Sequence, residues 1–190
     1  MNKFILADIN LEMVERWRHH FGMYKNVEFH HGDVFQKSAD ILVSPANSFG
    51  KMQGGIDGVY TRKIGNKLQS DFEEKIIKDF DGELLVGQAC FVETNFPQFP
   101  LLLSAPTMRI SMDITNTPNV YLAARAIFLN VRKYYPNATV LIPGLGTGVG
   151  GVSFDNCARL MSLAYYEYYL ENYKFPETMY EAIKKNKNEL

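Results

Sequence analysis

The sequence predicts an α/β protein with a central mixed, mostly parallel sheet and helices on both faces. Three observations predict it. Short apolar runs alternate with stretches whose apolar residues recur every three or four positions. Two of these runs lead directly into glycine-rich loops, each followed by a helical pattern. The 190-residue chain contains no repeat, linker or low-complexity segment, so one domain over 1–190 is expected.

The elements follow in order. Lys3–Asp8 is an apolar run that ends at an acid and reads as a strand. Leu11, Val14, Trp17 and Phe21 form a helical stripe over Leu11–Phe21. Val27–His30 and Ile41–Ser44 read as strands separated by a turn. Asp57–Gly65 suits a short helix. Lys67–Phe80 suits a longer one, with Leu68, Phe72, Ile76 and Phe80 at steps of four. Ala89–Glu93 and Leu101–Ala105 read as two more strands. Ala124, Ile127, Phe128, Val131 and Tyr135 share one face of a helix over Tyr121–Tyr135, which Pro136-Asn137 stops. A strand at Ala138–Ile142 and a long helix over Phe154–Tyr173 follow. Pro176 is expected to start a short terminal helix, and Lys184–Leu190 to fray. In sheets of this kind ligands bind beyond the carboxyl ends of the strands.

Composition excludes several classes. A formal net charge of -1 offers no bulk attraction to nucleic acid or to an anionic membrane surface. No run approaches the ~18 apolar residues of a membrane span. Asp8 interrupts the first apolar run too early for a secretory core. Two cysteines, Cys90 and Cys157, lie in apolar settings and cannot make a disulfide framework. Free thiols and a cytoplasmic location are the expectation.

The densest chemical signal is Ile142-Pro143-Gly144-Leu145-Gly146-Thr147-Gly148-Val149-Gly150-Gly151, with five glycines in eight positions. It follows a strand and precedes Ser153-Phe154-Asp155, the opening of a helical pattern. Glycines let a ligand approach the backbone closely, and the exposed N–H groups with the helix dipole favour an anion. Gly146 to Gly151 also satisfies G-x-G-x-x-G. Dinucleotide-binding folds, however, carry that pattern in their first strand-to-helix turn, and here it follows the last predicted strand, with too little chain left for a second half-sheet.

A second loop repeats the arrangement. The strand Ile41–Ser44 runs into Pro45-Ala46-Asn47-Ser48-Phe49-Gly50-Lys51-Met52-Gln53-Gly54-Gly55-Ile56-Asp57-Gly58-Val59. Two such loops on neighbouring strands suit the two sides of a diphosphate. Asn47 reads either as an Asx-turn residue or as a sugar-hydroxyl partner, and Asp57 either as a helix cap or as a working carboxylate. Gly32-Asp33, after an earlier strand, reads as a turn former or as an acceptor for an adenine amino group.

Together these motifs resemble the macro domain family. Gly32-Asp33 is similar to the family's adenine-recognising Gly-Asp. Ser44-Pro45-Ala46-Asn47 is similar to its Asn-Ala-Ala-Asn. Gln53-Gly54-Gly55-Ile56-Asp57-Gly58-Val59 is similar to its Gly-Gly-Gly-Val-Asp-Gly-Ala loop. Ile142 to Gly148 matches its phosphate loop. The resemblance runs from about Phe29 to Tyr173. It implies a three-layer α/β/α fold and binding of ADP-ribose or a related adenine diphosphate nucleotide. It further implies hydrolysis of ADP-ribosyl linkages, the alternative being a non-catalytic reader or nucleotide-sequestering module. The implied ligand surface comprises Asp33, Val34, Ala46, Asn47, Gly54, Gly55, Ile56, the loop Pro143, Gly144, Leu145, Gly146, Thr147, Gly148, Val149 and Gly150, and Phe154. Asn47 and Asp57 are the implied catalytic pair. Asn47 would orient the distal ribose, while Asp57 or the substrate phosphate would position a water. No cofactor or metal is expected, and the partner is ADP-ribose or an ADP-ribosylated substrate.

The chain departs from the family pattern around the distal ribose. Ser44 replaces the first Asn and Gln53 the third loop glycine. Lys51 and Met52 are extra, Tyr60 replaces a frequent His, and Val149 replaces an aromatic, for which Phe49 or Phe154 could substitute. Arg109, with Thr107, ends another strand and reads either as a phosphate clamp or as a solvated surface residue. His19-His20 and His30-His31 have no carboxylate or Cys at ligand spacing beside them. Cys157, Met161, Ala164 and Tyr168 lie at helical spacing and read as core.

Overall fold

The computed structural model describes residues 1–190. Six strands form one sheet: β1 (Lys3–Asp8), β2 (Val27–His31), β3 (Ile41–Ser44), β4 (Cys90–Glu93), β5 (Leu101–Ser104) and β6 (Thr139–Ile142), in the order β2-β1-β6-β3-β5-β4. All pairings are parallel except β4 with β5. The carboxyl ends of five strands therefore share one edge.

Alternation along each strand divides the core in two. Phe4, Leu6, Ile41, Val43, Leu103, Val140 and Ile142 face the larger cluster. They are covered by α1 (Leu11–Phe21), α4 (Asn119–Tyr134) and α5 (Phe154–Ala164). Ile5, Ala7, Leu42, Leu102 and Leu141 face the other cluster, covered by α2 (Gly55–Ile64) and α3 (Lys67–Asp79). This is the predicted α/β/α arrangement, and every predicted strand is present to within one residue. Successive side chains point to opposite faces, so a run such as Ile41–Val43 must be apolar throughout.

The C-terminal third departs from expectation. The α-helix beginning at Phe154 stops at Ala164, continues as a π turn over Tyr165–Tyr169, and ends where Glu171 adopts φ 58°. Residues 184–188 are helical rather than irregular. Thr178 and Glu181 form a capping box that starts α6 (Met179–Asn188). Lys185 then pairs with Glu167 at 2.8 Å and with Glu189 at 3.0 Å, and the Arg159 guanidinium donates to the Asn188 carbonyl. One ion pair to Glu167 and one hydrogen bond from Arg159 anchor a segment whose local sequence is polar.

Candidate functional site

The sheet order brings the candidate residues to one edge. Asp33 follows β2, Asp8 ends β1, the 143–151 loop follows β6, and the 45–54 loop follows β3. Because β6 lies between β1 and β3, the two glycine loops leave adjacent strands.

The 143–151 loop contains two kinds of glycine. Gly146 has φ 71°, and a Cβ there would lie 2.9 Å from Ile114. A Cβ on Gly150 would lie 2.5 Å from the Gly146 carbonyl oxygen. Packing against backbone requires Gly150, while Gly146 is favoured by its positive φ. A Cβ on Gly148 would meet nothing within 4 Å, so this glycine keeps the outer surface open. Loop hydrogen bonds run from Gly151 N–H to Gly148 and from Val152 N–H to Gly146, while Leu145 N–H reaches the Cys157 sulfur. The five consecutive N–H groups of Gly146, Thr147, Gly148, Val149 and Gly150 donate to no atom of the chain. Ser153 caps α5 by accepting from Asn156 N–H. Val149 is exposed, and Phe154 is half-buried against the core.

The second loop ends differently. Gly54 occupies the N-cap of α2 and supplies no side chain, so the N–H groups of Gly54, Gly55, Ile56 and Asp57 also have no acceptor within the chain. Asp57 is therefore not the cap. It sits at the third helical position, is 8% exposed, and accepts a 2.6 Å hydrogen bond from the Ser44 hydroxyl. Burial pushes its carboxyl up to about 6, with the Ser44 hydrogen bond opposing. Tyr60, one turn on, is fully buried and donates to the Val43 carbonyl at 3.2 Å. Asn47 organises its own loop in an Asx-type arrangement: its carbonyl accepts from Phe49 and Lys51 N–H at 3.1 and 3.2 Å, and its amide donates to the Lys51 carbonyl at 2.7 Å. Ala46 is buried beside it.

At the other end, Asp33 is exposed and accepts from Phe35 N–H at 2.9 Å, capping a short 3-10 turn that begins at the buried Val34. Asp8 was not singled out from sequence. It is half-buried, and burial raises its carboxyl despite hydrogen bonds from the N–H groups of Asn10, Gly144 and Ile9. A Cβ on Gly144 would come within 3.0 Å of it. The available signal was an acid that ends an apolar strand.

Arg109 is engaged by an acid. It pairs with Glu83 through two hydrogen bonds, 2.6 and 3.2 Å, and its guanidinium lies 5.2 Å from the Phe49 ring centre. Thr107 is buried and donates to the Pro45 carbonyl at 3.3 Å. Among the histidines, His20 approaches Asp155 at 3.2 Å, His30 approaches Gln36 at 3.1 Å, and His31 approaches the Ile9 carbonyl at 3.2 Å. Cys90 and Cys157 are buried free thiols, each pushed up to about 12 by burial. No helix is long and apolar enough to cross a membrane.

A family model described as the macro domain matches residues 43–161, more than half of the chain. The chain belongs to the macro domain family. As a macro domain it is 34% identical over 130 residues to an uncharacterized protein of Aquifex aeolicus, covering 68% of this chain and 74% of the relative. It is 27% identical over 168 residues to a Saccharolobus solfataricus protein, covering 85% and 88%. Solved structures share the macro domain fold. The Oceanobacillus iheyensis macrodomain with ADP gives a TM-score of 0.63 at 21% identity, covering 74% of this chain and 75% of that one. The macrodomain of Mycobacterium tuberculosis DarG gives 0.61 at 20% identity, covering 72% and 87%. Thermosipho africanus DarTG in complex with ADP-ribose gives 0.59 at 16% identity, covering 85% of this chain and 50% of that one.

Proposed function

We infer that this macro domain binds ADP-ribose, or a closely related adenine diphosphate nucleotide, along the edge from Asp33 to Asp57. The observation that carries the reading is the pair of unsatisfied N–H runs, Gly146–Gly150 and Gly54–Asp57, on adjacent strand ends. Exposed backbone donors of this kind suit a diphosphate, which needs several acceptors satisfied at once. Asp33 is exposed two strands from the 143–151 loop, within the span of a nucleoside, and takes the adenine amino group. The fold likeness to a macrodomain with ADP and to DarTG in complex with ADP-ribose supports the assignment.

The activity favoured is hydrolysis of an ADP-ribosyl linkage. A water oxygen bonds to the anomeric carbon of the distal ribose. The bond from that carbon to the acceptor breaks, and its electron pair leaves with the acceptor, which takes up a proton. Asp57 accepts the proton lost by the water. A buried carboxyl near 6 suits a base at neutral pH, because it is ionised yet still basic. The fixed N–H groups hold the diphosphate while charge redistributes beside it. A non-catalytic reader is the second reading. It is favoured by Asn47, whose carbonyl and one amide hydrogen serve its own loop rather than a ribose.

Calorimetry with ADP-ribose on the wild type and Asp57→Asn, alongside release of ADP-ribose from a modified acceptor, tests both. Tight binding with release that falls about 100-fold in Asp57→Asn supports the hydrolase. Binding without release from any acceptor leaves the reader, and no binding overturns both.

A further inference from the structure

β3 and β5 both end in serine, and the two serines are partners in the parallel register, Ser44 opposite Ser104. Ala105 N–H donates to the Ser44 carbonyl at 3.0 Å, which fixes that register at the strand ends. Leu42 and Leu102, two residues earlier on each strand, belong to the core cluster under α2 and α3. Side chains alternate along a strand, so Ser44 and Ser104 lie on that same face, the one from which Asp57 descends. Both serines are fully buried. Ser44 donates to Asp57, whereas the Ser104 hydroxyl has no hydrogen-bond partner in this conformation.

A buried hydroxyl left without a partner is costly, so an acceptor within reach should capture it. Ser44 offers one. Its single proton is engaged with Asp57, and its oxygen keeps two lone pairs. Neighbouring strands lie about 4.8 Å apart. Two hydroxyls leaning toward each other across that gap reach the usual O–H···O distance of about 2.8 Å. A change of the Ser104 χ1 between staggered wells supplies the direction. The competing acceptor is the Cys90 sulfur, opposite Ser104 on β4. Sulfur accepts weakly, whereas an oxygen already donating to a buried carboxylate is polarised into a better acceptor.

We propose that Ser104 is a positioning residue for the hydrolytic carboxylate: its hydroxyl donates to Ser44, Ser44 donates to Asp57, and this row across two strands holds the carboxylate in place. The role rests on the hydrolase reading above. Other groups on this face leave Asp57 alone. Tyr60, from α2, donates to the Val43 carbonyl, and Asp8 and Asp33 bear on Tyr60 rather than on Asp57. Cys90, from β4, stays a thiol, pushed up to about 12 by burial. Glu73, from α3, is paired with Lys51 at 3.0 Å. Ser44 is thus the one group that lowers the Asp57 carboxyl, and whatever strengthens its donation is felt there.

The test is a carbon NMR titration of the Asp57 carboxyl in the ligand-free protein. Ser104→Ala should raise its midpoint by roughly 0.3 pH units, the size of a 10–30% strengthening of one charge-assisted hydrogen bond. Ser104→Cys, close in size but a weak donor, should raise it by nearly as much, which separates the hydroxyl from packing. In a Ser44→Ala background, Ser104→Ala should add no further shift, because the effect passes through Ser44. The acid limb of ADP-ribose release should move to higher pH by the same amount, with ADP-ribose affinity within about twofold of wild type. An unmoved midpoint in Ser104→Ala, a wild-type midpoint in Ser104→Cys, or an equal shift without Ser44 overturns the proposal. If the wild type fails to bind ADP-ribose, the functional reading falls and the proposed role with it. Normal binding with an unmoved midpoint removes Ser104 alone.

Discussion

Ser44 and Asp57, thirteen residues apart, form a 2.6 Å hydrogen bond where β3 meets the first turn of α2, and the hydroxyl is the only side-chain donor to the carboxylate. The arrangement leaves Asp57 nearly desolvated without a cation. It is the least stabilised acid at the site, and its titration is open to measurement.

Asp57 should make stability depend on pH. Its folded value, about 6, lies above the ordinary 3.8, so its contribution is greatest below 3.8 and is lost as pH rises through about 6. Relative to wild type, Asp57→Asn should gain on the order of 3 kcal/mol between pH 4 and 7. Denaturant unfolding of both proteins across that range checks it, and a difference independent of pH would refute the assignment.

Ser44→Ala removes the donor that favours the ionised carboxylate. At pH 7 it should cost about 1.5–3 kcal/mol, the range for a hydrogen bond to a charged group, and clearly less at pH 4. The acid limb of any hydrolytic pH profile should move to higher pH. Ser44→Thr, which keeps the hydroxyl, should restore much of the profile. Equal costs at both pH values would mean that Ser44 serves packing alone.

The two kinds of loop glycine should respond oppositely. Gly148→Val meets open space, so stability should change by no more than about 0.5 kcal/mol while ADP-ribose affinity falls at least tenfold. Gly150→Ala drives a Cβ against the Gly146 carbonyl, which should cost roughly 1–3 kcal/mol of stability. Paired melting and calorimetric curves separate these outcomes. Normal affinity in Gly148→Val would make the loop a turn and nothing more.

Asp33→Ala removes both the proposed adenine acceptor and the cap on the following 3-10 turn. Binding should weaken by about 1.5–3 kcal/mol. Asp33→Asn, which still caps, should hold its melting temperature and lose less affinity. Unchanged affinity in Asp33→Ala would remove this residue from the site.

The sequence by itself determined the strands, the helical stripes and the two glycine loops. These follow from local rules: periodicity marks burial, and the 2.5 Å approach at Gly150 leaves no room for a side chain. Four motifs in order were sufficient to point to the macro domain. Only the tertiary structure decided what the polar side chains do. Asp57 as a buried acceptor rather than a cap depends on Ser44, and Arg109 is held by Glu83, 26 positions away. Asp8 lies under the Gly144 loop because β1 and β6 are neighbours in the sheet, and Lys185 anchors a terminal helix that its own polar sequence would leave to fray. A side chain's charge, partners and solvation depend on residues distant in sequence, and packing alone brings those together.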